Sequence, residues 1–170
     1  SGRVWSRRGS RLICLADGKM REYDARDGMP GLGSMSLLED PDGTLWFATE
    51  TGLARFASGR FTLYTMADGL PDNSIRDVFR DREGTHWIGT DRGLARLTDR
   101  PISSLTSADG LVANNTYPIL QDHTGDVWVG GWPGLTRYHD GKFEPAPAAY
   151  HLEKANITTL NEDREGAPAV

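Results

Sequence analysis

Cysteine is almost missing from this chain: Cys14 is the single one in 170 residues. That excludes a disulfide framework within the chain and any multi-cysteine zinc site. It leaves the compartment open, because domains outside the cytoplasm also exist without disulfides. Long apolar runs are missing too. None approaches the roughly 18 residues of a membrane span, and the first residues show no charged-then-apolar leader. There is no basic excess, with Lys+Arg 19 against Asp+Glu 24 and a net charge of -5, which argues against a binder of nucleic-acid phosphates. No segment holds a 3.6-residue apolar period over ten residues. No Gly-x-Ser-x-Gly elbow, phosphate loop or dinucleotide fingerprint occurs. What is present is ordinary for a folded protein, 38% hydrophobic and 25% charged, with enough glycine for many turns.

A repeat decides the architecture. Trp5, Trp46, Trp87 and Trp128 stand 41 residues apart, each preceded at three residues by Gly2, Gly43, Gly84 or Gly125, and Gly166 continues the series without a tryptophan. After the last three tryptophans comes Gly-Leu-x-Arg, at Gly52 to Arg55, Gly93 to Arg96 and Gly134 to Arg137; the first copy keeps Leu12 and has Cys14 in the arginine place. Asp-Gly-apolar recurs at Asp27-Gly28-Met29, Asp68-Gly69-Leu70 and Asp109-Gly110-Leu111.

Within one period, short apolar runs alternate with turn dipeptides, the pattern of strands and hairpins. In the clearest copy the spacing predicts strands over 74–80, 85–89, 93–98 and 102–106, with turns at Arg82-Glu83-Gly84, Thr90-Asp91-Arg92 and Asp99-Arg100. Asp17-Gly18, Asp42-Gly43, Ser58-Gly59 and Asp140-Gly141 suit tight hairpins. Four antiparallel strands per 41 residues make the blade of a β-propeller, so the chain reads as an all-β array of about four blades. The blade parts are 1–31, 32–72, 73–113 and 114–154, with 155–163 a first strand able to complete the N-terminal blade. The periodic tryptophans then serve as packing between blades. Arg55, Arg96 and Arg137 are expected to pair with Asp40, Asp81, Asp122 or Asp163, and Cys14 to be a packed free thiol.

The composite Asp-x-x-Gly-x-Leu-Trp-x-x-Thr-x-x-Gly-Leu-x-Arg-Phe, at Asp40 to Phe56, resembles the regulator-propeller repeat of two-component sensors. Phe61, Tyr64-Thr65, Asp68-Gly69-Leu70-Pro71 and Asn73, then Asp81 to Leu94, follow the same signature. The resemblance implies the extracytoplasmic, non-enzymatic input region of a hybrid histidine kinase, or of sensors with diguanylate cyclase or helix-turn-helix outputs. It also implies detection of carbohydrate breakdown products. Family members carry larger propellers of about seven blades, so four periods look like a fragment or a short stand-alone array.

The phase of the ends frames three arrangements. The chain starts at the second strand of a blade, over 3–7, and finishes after a first strand over 156–161. Ala167-Pro168-Ala169-Val170 then stands where a second strand is expected and is poorly suited to a ladder. Closure within one chain, closure between two chains into an eight-bladed ring, and an open arc with bare edges all fit, with association favoured over the lone arc.

Function on a propeller gathers in loops at one face near the channel. The turns Thr49-Glu50-Thr51, Thr90-Asp91-Arg92 and Gly131-Trp132-Pro133 share a face with the links between blades. Residues that break the repeat there are the ligand-binding candidates: Trp132, Asp91, Arg92, Asn115, Tyr117, Tyr150 and His151. An exposed Trp132 ring is suited to stacking on a sugar. Catalytic residues, a metal site and a cofactor are not expected. His86 reads as a satisfied core residue, while His123 and His139 lie near turns of the opposite face, beside Asp122 and Asp140. Asp40-x-Asp42-Gly43 and Asp81-x-Glu83-Gly84 begin like calcium loops but lack the later ligands. A propeller lyase and a protein-docking array remain as alternatives to the sensor.

Overall fold

A computed structural model describes residues 2–49, 51–97, 102–163 and 168–169, the side chains of 32–35 and 168–169 excepted. The expectations placed on Glu50, Thr98, Asp99-Arg100, Gly166, Ala167 and Val170 lie outside the described residues. The chain is an all-β propeller array of four blades. The first shows β1 (Val4–Arg8), β2 (Arg11–Ala16) and β3 (Lys19–Tyr23). The second has β4 (Leu32–Glu39), β5 (Leu45–Thr49), β6 (Leu53–Ala57) and β7 (Arg60–Tyr64). The third has β8 (Ile75–Arg80), β9 (His86–Thr90), β10 (Gly93–Leu97) and β11 (Ser103–Leu105). The fourth has β12 (Asn115–Gln121), β13 (Val127–Trp132), β14 (Gly134–His139) and β15 (Lys142–Pro145). Every sheet is antiparallel with neighbours in chain order. The first strand of each four-stranded sheet carries a register shift, between Leu32 and Leu37, Ile75 and Asp77, and Thr116 and Ile119.

The local chemistry explains the markers. Both residues of Asp17-Gly18, Ser58-Gly59 and Asp140-Gly141 have positive φ, which type I′ hairpins require. Each Asp-Gly-apolar marker closes a short 3-10 turn, at Ala25–Asp27, Met66–Asp68 and Ser107–Asp109. Asp24, Thr65 or Thr106 caps its start, the marker aspartate returns a hydrogen bond, and the glycine ends it in the left-handed region. The chain then drops Met29, Leu70 or Leu111 into the core between blades. The glycine of Gly-Leu-x-Arg is fixed by close approach: a Cβ at Gly93, where φ is 154°, would lie 2.6 Å from the Leu105 carbonyl oxygen.

The tryptophans pack between blades as expected. The Trp5 ring meets Phe56 of the second blade at 5.9 Å, Trp46 meets His86 of the third at 5.0 Å, and Trp87 meets Tyr138 of the fourth at 5.1 Å. The pairing expected for the arginines is corrected. Asp40, Asp81 and Asp122 instead accept the indole N–H of the tryptophan six residues later, at 2.8, 2.8 and 2.7 Å. Arg55, Arg96 and Arg137 lie over the faces of those rings, 5.7, 5.4 and 5.8 Å from the centroids. The reason is register: Trp46 stands opposite Arg55, Trp87 opposite Arg96 and Trp128 opposite Arg137. Each guanidinium therefore shares a sheet face with the ring and covers it. Burial raises the Asp122 carboxyl, but bonds from Thr124, Trp128 and nearby amides outweigh it and leave the group below its ordinary range. Cys14 is buried, and that burial raises its thiol pKa.

The first strand expected over 156–161 forms only at its end. Ile157 is buried beside Trp128 and Leu135, and its N–H donates to the Gly131 carbonyl, which holds this stretch against the fourth blade. β16 (Asn161–Glu162) pairs with β17 (Pro168–Ala169), so the poor ladder former Pro168-Ala169 is nonetheless a strand. Pro168 gives up no N–H, and a two-residue ladder at a sheet edge tolerates that.

Candidate functional site at the channel face

The repeat uses up most polar side chains on structural bonds, so attention passes to those that depart from it. The inner strands carry three such residues. Arg76 on β8 donates to Asp91 through Nε (2.6 Å to Oδ1) and a terminal nitrogen (2.8 Å to Oδ2). The same guanidinium lies 5.8 Å from the Tyr117 ring centroid on β12. Arg76 and Tyr117 are 41 residues apart, so they occupy the same place on adjacent inner strands. This forked contact is the stronger kind of charged hydrogen bond. It holds the Asp91 carboxyl below its ordinary range and raises Arg76.

Asp77, next along β8, is mostly buried. Its Oδ1 accepts from the Ser36 hydroxyl (2.8 Å) and the Val78 N–H (2.9 Å), and its Oδ2 from the Ile119 N–H (3.1 Å). It thereby links the inner strands of three successive blades. Burial pushes its carboxyl above the usual range against those bonds.

The other candidates divide. Trp132 ends β13 opposite Asn115 on β12 and is 56% exposed. The Asn115 side-chain oxygen is buried and has no hydrogen-bond partner among the described residues. Arg92 pairs through Nε with Asp72 of the preceding link at 3.2 Å and is otherwise exposed. Tyr150 and His151 belong to the last 3-10 turn, Ala148–Tyr150. The Tyr150 ring lies 6.3 Å from Trp128, and the exposed His151 closes the turn by donating its N–H to Ala148. The structure thus brings Asp91 and Tyr117 together through Arg76 and sets Asn115 opposite Trp132; Arg92 pairs with Asp72, whose charge also acts on Arg76, while Tyr150 and His151 belong to the last turn. Arg76 and Asp77 escaped the sequence reading, which searched loops. Their signal is a charged pair on an inner strand where neighbouring copies have Met35-Ser36 and Tyr117-Pro118.

Elsewhere the histidines are engaged by acids. His86 Nε2 lies 2.9 Å from Asp40, His123 Nδ1 2.5 Å from Glu162 and His139 Nδ1 2.5 Å from Asp126, which also takes Arg137 Nε at 2.6 Å. Asp126 holds His139 above its ordinary pKa, by hydrogen bond first and charge second. The calcium-like starts are turns: Asp42 accepts from Thr44 and Asp81 from Thr85 and Trp87. Among the described residues no group of three or more acids, histidines or cysteines is placed to hold a metal ion. Two clefts lie between blades beside the tryptophans. One of about 310 Å³ is lined by Trp46, Glu83 and His86, and one of about 390 Å³ by Arg96, Tyr138 and His139. Among the described residues no helix is long and apolar enough to cross a membrane.

Residues 28–51 and 69–92 match the family described as two component regulator propeller. No curated protein sequence matches the chain. The fold is similar to the extracellular domain of BT3049 from B. thetaiotaomicron, assigned to a hybrid two component system, with TM-score 0.77 and 17% identity over 98% of this chain and 26% of that one. It is also similar to virginiamycin B lyase from Staphylococcus aureus, with TM-score 0.70 and 20% identity over 98% of this chain and 58% of that one. PorZ, a component of the type-IX secretion system of Porphyromonas gingivalis, gives TM-score 0.63 and 17% identity over 92% and 28%. At these identities the likeness is one of fold, and the chain spans from about a quarter to just over half of these proteins. Fold, period and matched segments agree: the chain is a β-propeller array, and two of its segments, 28–51 and 69–92, match the two component regulator propeller repeat.

Proposed function

We propose that the chain is a non-catalytic, ligand-sensing segment of a bacterial two-component sensor, lying outside the cytoplasm and responsive to carbohydrate. One observation carries the reading. On β12, Asn115 stands opposite the half-exposed Trp132, and Tyr117, two residues further on, lies under Arg76, the ion-pair partner of Asp91, so an aromatic face and polar groups come from one strand pair on an otherwise structural scaffold. Aromatic faces with planar hydrogen-bonding groups alongside suit sugar rings. The family match and the extracellular domains with the same fold support the location. A lyase-type enzyme is the second reading, favoured by the fold of virginiamycin B lyase. It needs a histidine and an acid converging on one face; His151, the histidine expected on the channel face, is engaged among the described residues only through its backbone N–H, while His86, His123 and His139 lie against Asp40, Glu162 and Asp126 elsewhere.

The test is titration of the chain with neutral and acidic oligosaccharides, followed by tryptophan fluorescence. Trp132→Ala should weaken binding about tenfold or more, the worth of one stacking face. Binding that Trp132→Ala leaves unchanged refutes the site. Turnover with a titrating histidine in the rate–pH profile favours the enzyme.

A further inference from the structure

The fourth blade shows how the repeat can satisfy the arginine of Gly-Leu-x-Arg, and the third blade lacks the residue that does it. Arg137 lies over Trp128, and its Nε donates to Asp126 at 2.6 Å. Arg96 holds the same place in the third blade, over Trp87. The residue 41 before Asp126 is Thr85, so the repeat supplies no carboxylate there. Arg96 Nε is buried and has no hydrogen-bond partner among the described residues. Its Nη1 reaches the Tyr138 hydroxyl oxygen at 3.5 Å. A guanidinium over a ring needs no acid where water solvates its N–H groups. A buried N–H without an acceptor is costly and rare in folded proteins.

Arg96 and Tyr138 line the cleft of about 390 Å³ between the third and fourth blades. Both of these blades are complete four-stranded sheets. The cleft lies beside Val127, at the opposite end of β13 from Trp132. The acids along it divide. Asp81 is held by Trp87 and Thr85, and Asp126 by Arg137 and His139. Glu83 and Asp140 are exposed. Glu83 accepts one bond from Gln121 at 3.0 Å, and Asp140 lies 3.4 Å from His139 Nε2. The cleft therefore combines donors in want of an acceptor, Arg96 Nε and the Tyr138 O–H, with two carboxylates open to a cation.

We propose that this cleft binds a small zwitterion of the α-amino acid class. The ligand carboxylate takes on Arg96 the place that Asp126 takes on Arg137, and it accepts from the Tyr138 hydroxyl as well. The ligand ammonium is set against Glu83 and Asp140, which a bare anion would meet as like charges. The volume stands at the small end of ligand pockets and suits one such molecule. Ligand, cleft and residues all differ from those of the oligosaccharide site, so either stands without the other.

Calorimetric titration of the chain with the common amino acids tests this, with acetate and ethylammonium as single-charge probes. At least one amino acid should saturate the chain with a Kd of about 1 mM or below, and both single-charge probes should bind about tenfold or more weakly. Tyr138→Phe should weaken binding about tenfold, and Glu83→Gln, at an exposed position, should weaken it with an unchanged circular dichroism spectrum. Thr85→Asp copies the fourth blade by giving Arg96 an acid, and should abolish binding while the fold is kept. Trp132→Ala should leave this binding as it is. Absence of saturable binding by any amino acid up to about 10 mM overturns the proposal. So does acetate binding as tightly as the best amino acid, or binding indifferent to both Thr85→Asp and Glu83→Gln.

Discussion

Cutting the bond between Asp81 and Trp87 should reveal how each blade is locked. Trp87 is 1% exposed and Asp81 6%, so neither partner can turn to water. Asp81→Ala removes the acceptor of the indole N–H at 2.8 Å and of the Thr85 N–H at 2.7 Å. Hydrogen bonds to a charged group contribute about 1.5–3 kcal/mol each, and a buried donor left alone costs about 1–3 kcal/mol. The single change should therefore cost about 3–5 kcal/mol. Trp87→Phe keeps most of the ring volume but leaves the buried Oδ2 of Asp81 without its donor, while Oδ1 keeps the Thr85 N–H. In the double variant neither group is left waiting, so the cycle should give a coupling of about 1.5–3 kcal/mol. Urea unfolding read by circular dichroism and fluorescence supplies the numbers, with coincident transitions and constant slopes as the condition for using them. A coupling below about 0.5 kcal/mol would refute the argument and leave the tryptophan as packing alone.

Two further outcomes follow from local geometry. At Gly93, φ is 154° and a Cβ would meet the Leu105 carbonyl at 2.6 Å, as at Gly52 with Tyr64 at 2.2 Å. Alanine at either place should cost about 1–3 kcal/mol from backbone strain alone, whereas alanine at the open Gly2 should be nearly neutral, all read by urea midpoints. His139 has its pKa raised above 6.5 by Asp126. Its contribution is complete below pH 6.5 and is lost as pH rises through the raised value. Asp126→Asn should flatten that part of the stability–pH curve, and an unchanged curve assigns the dependence elsewhere.

The sequence was most legible where the chain repeats itself. Four tryptophans at one period and turn dipeptides between short apolar runs located the blades, because hairpin chemistry and packing between sheets are local and recur. The partners of the arginines were misread because a 41-residue period shows which residues are equivalent but not which way a side chain faces. Cross-strand register, unseen in the sequence, puts Arg96 over Trp87 and leaves Asp81 for the indole. Arg76 and Asp77 were passed over for a related reason. They depart from the repeat on an inner strand, where the curvature of successive blades brings Ser36, Tyr117 and Ile119 within reach. The strand expected from residue 156 shortened because Ile157 is engaged by the fourth blade.

The proposed function puts ligand at the face of Trp132 and Arg76 rather than in the clefts lined by His86 and His139. Amide and indole nitrogen–proton spectra test it directly, recorded with and without the oligosaccharide that binds best. The indole signals of Trp46, Trp87 and Trp128 are pinned by carboxylates, whereas Trp132 is 56% exposed and stands opposite Asn115. The account predicts that the Trp132 indole moves together with the amides of Asp91, Asn115 and Tyr117. Shifts confined to Arg96, Tyr138 and His139 would contradict it.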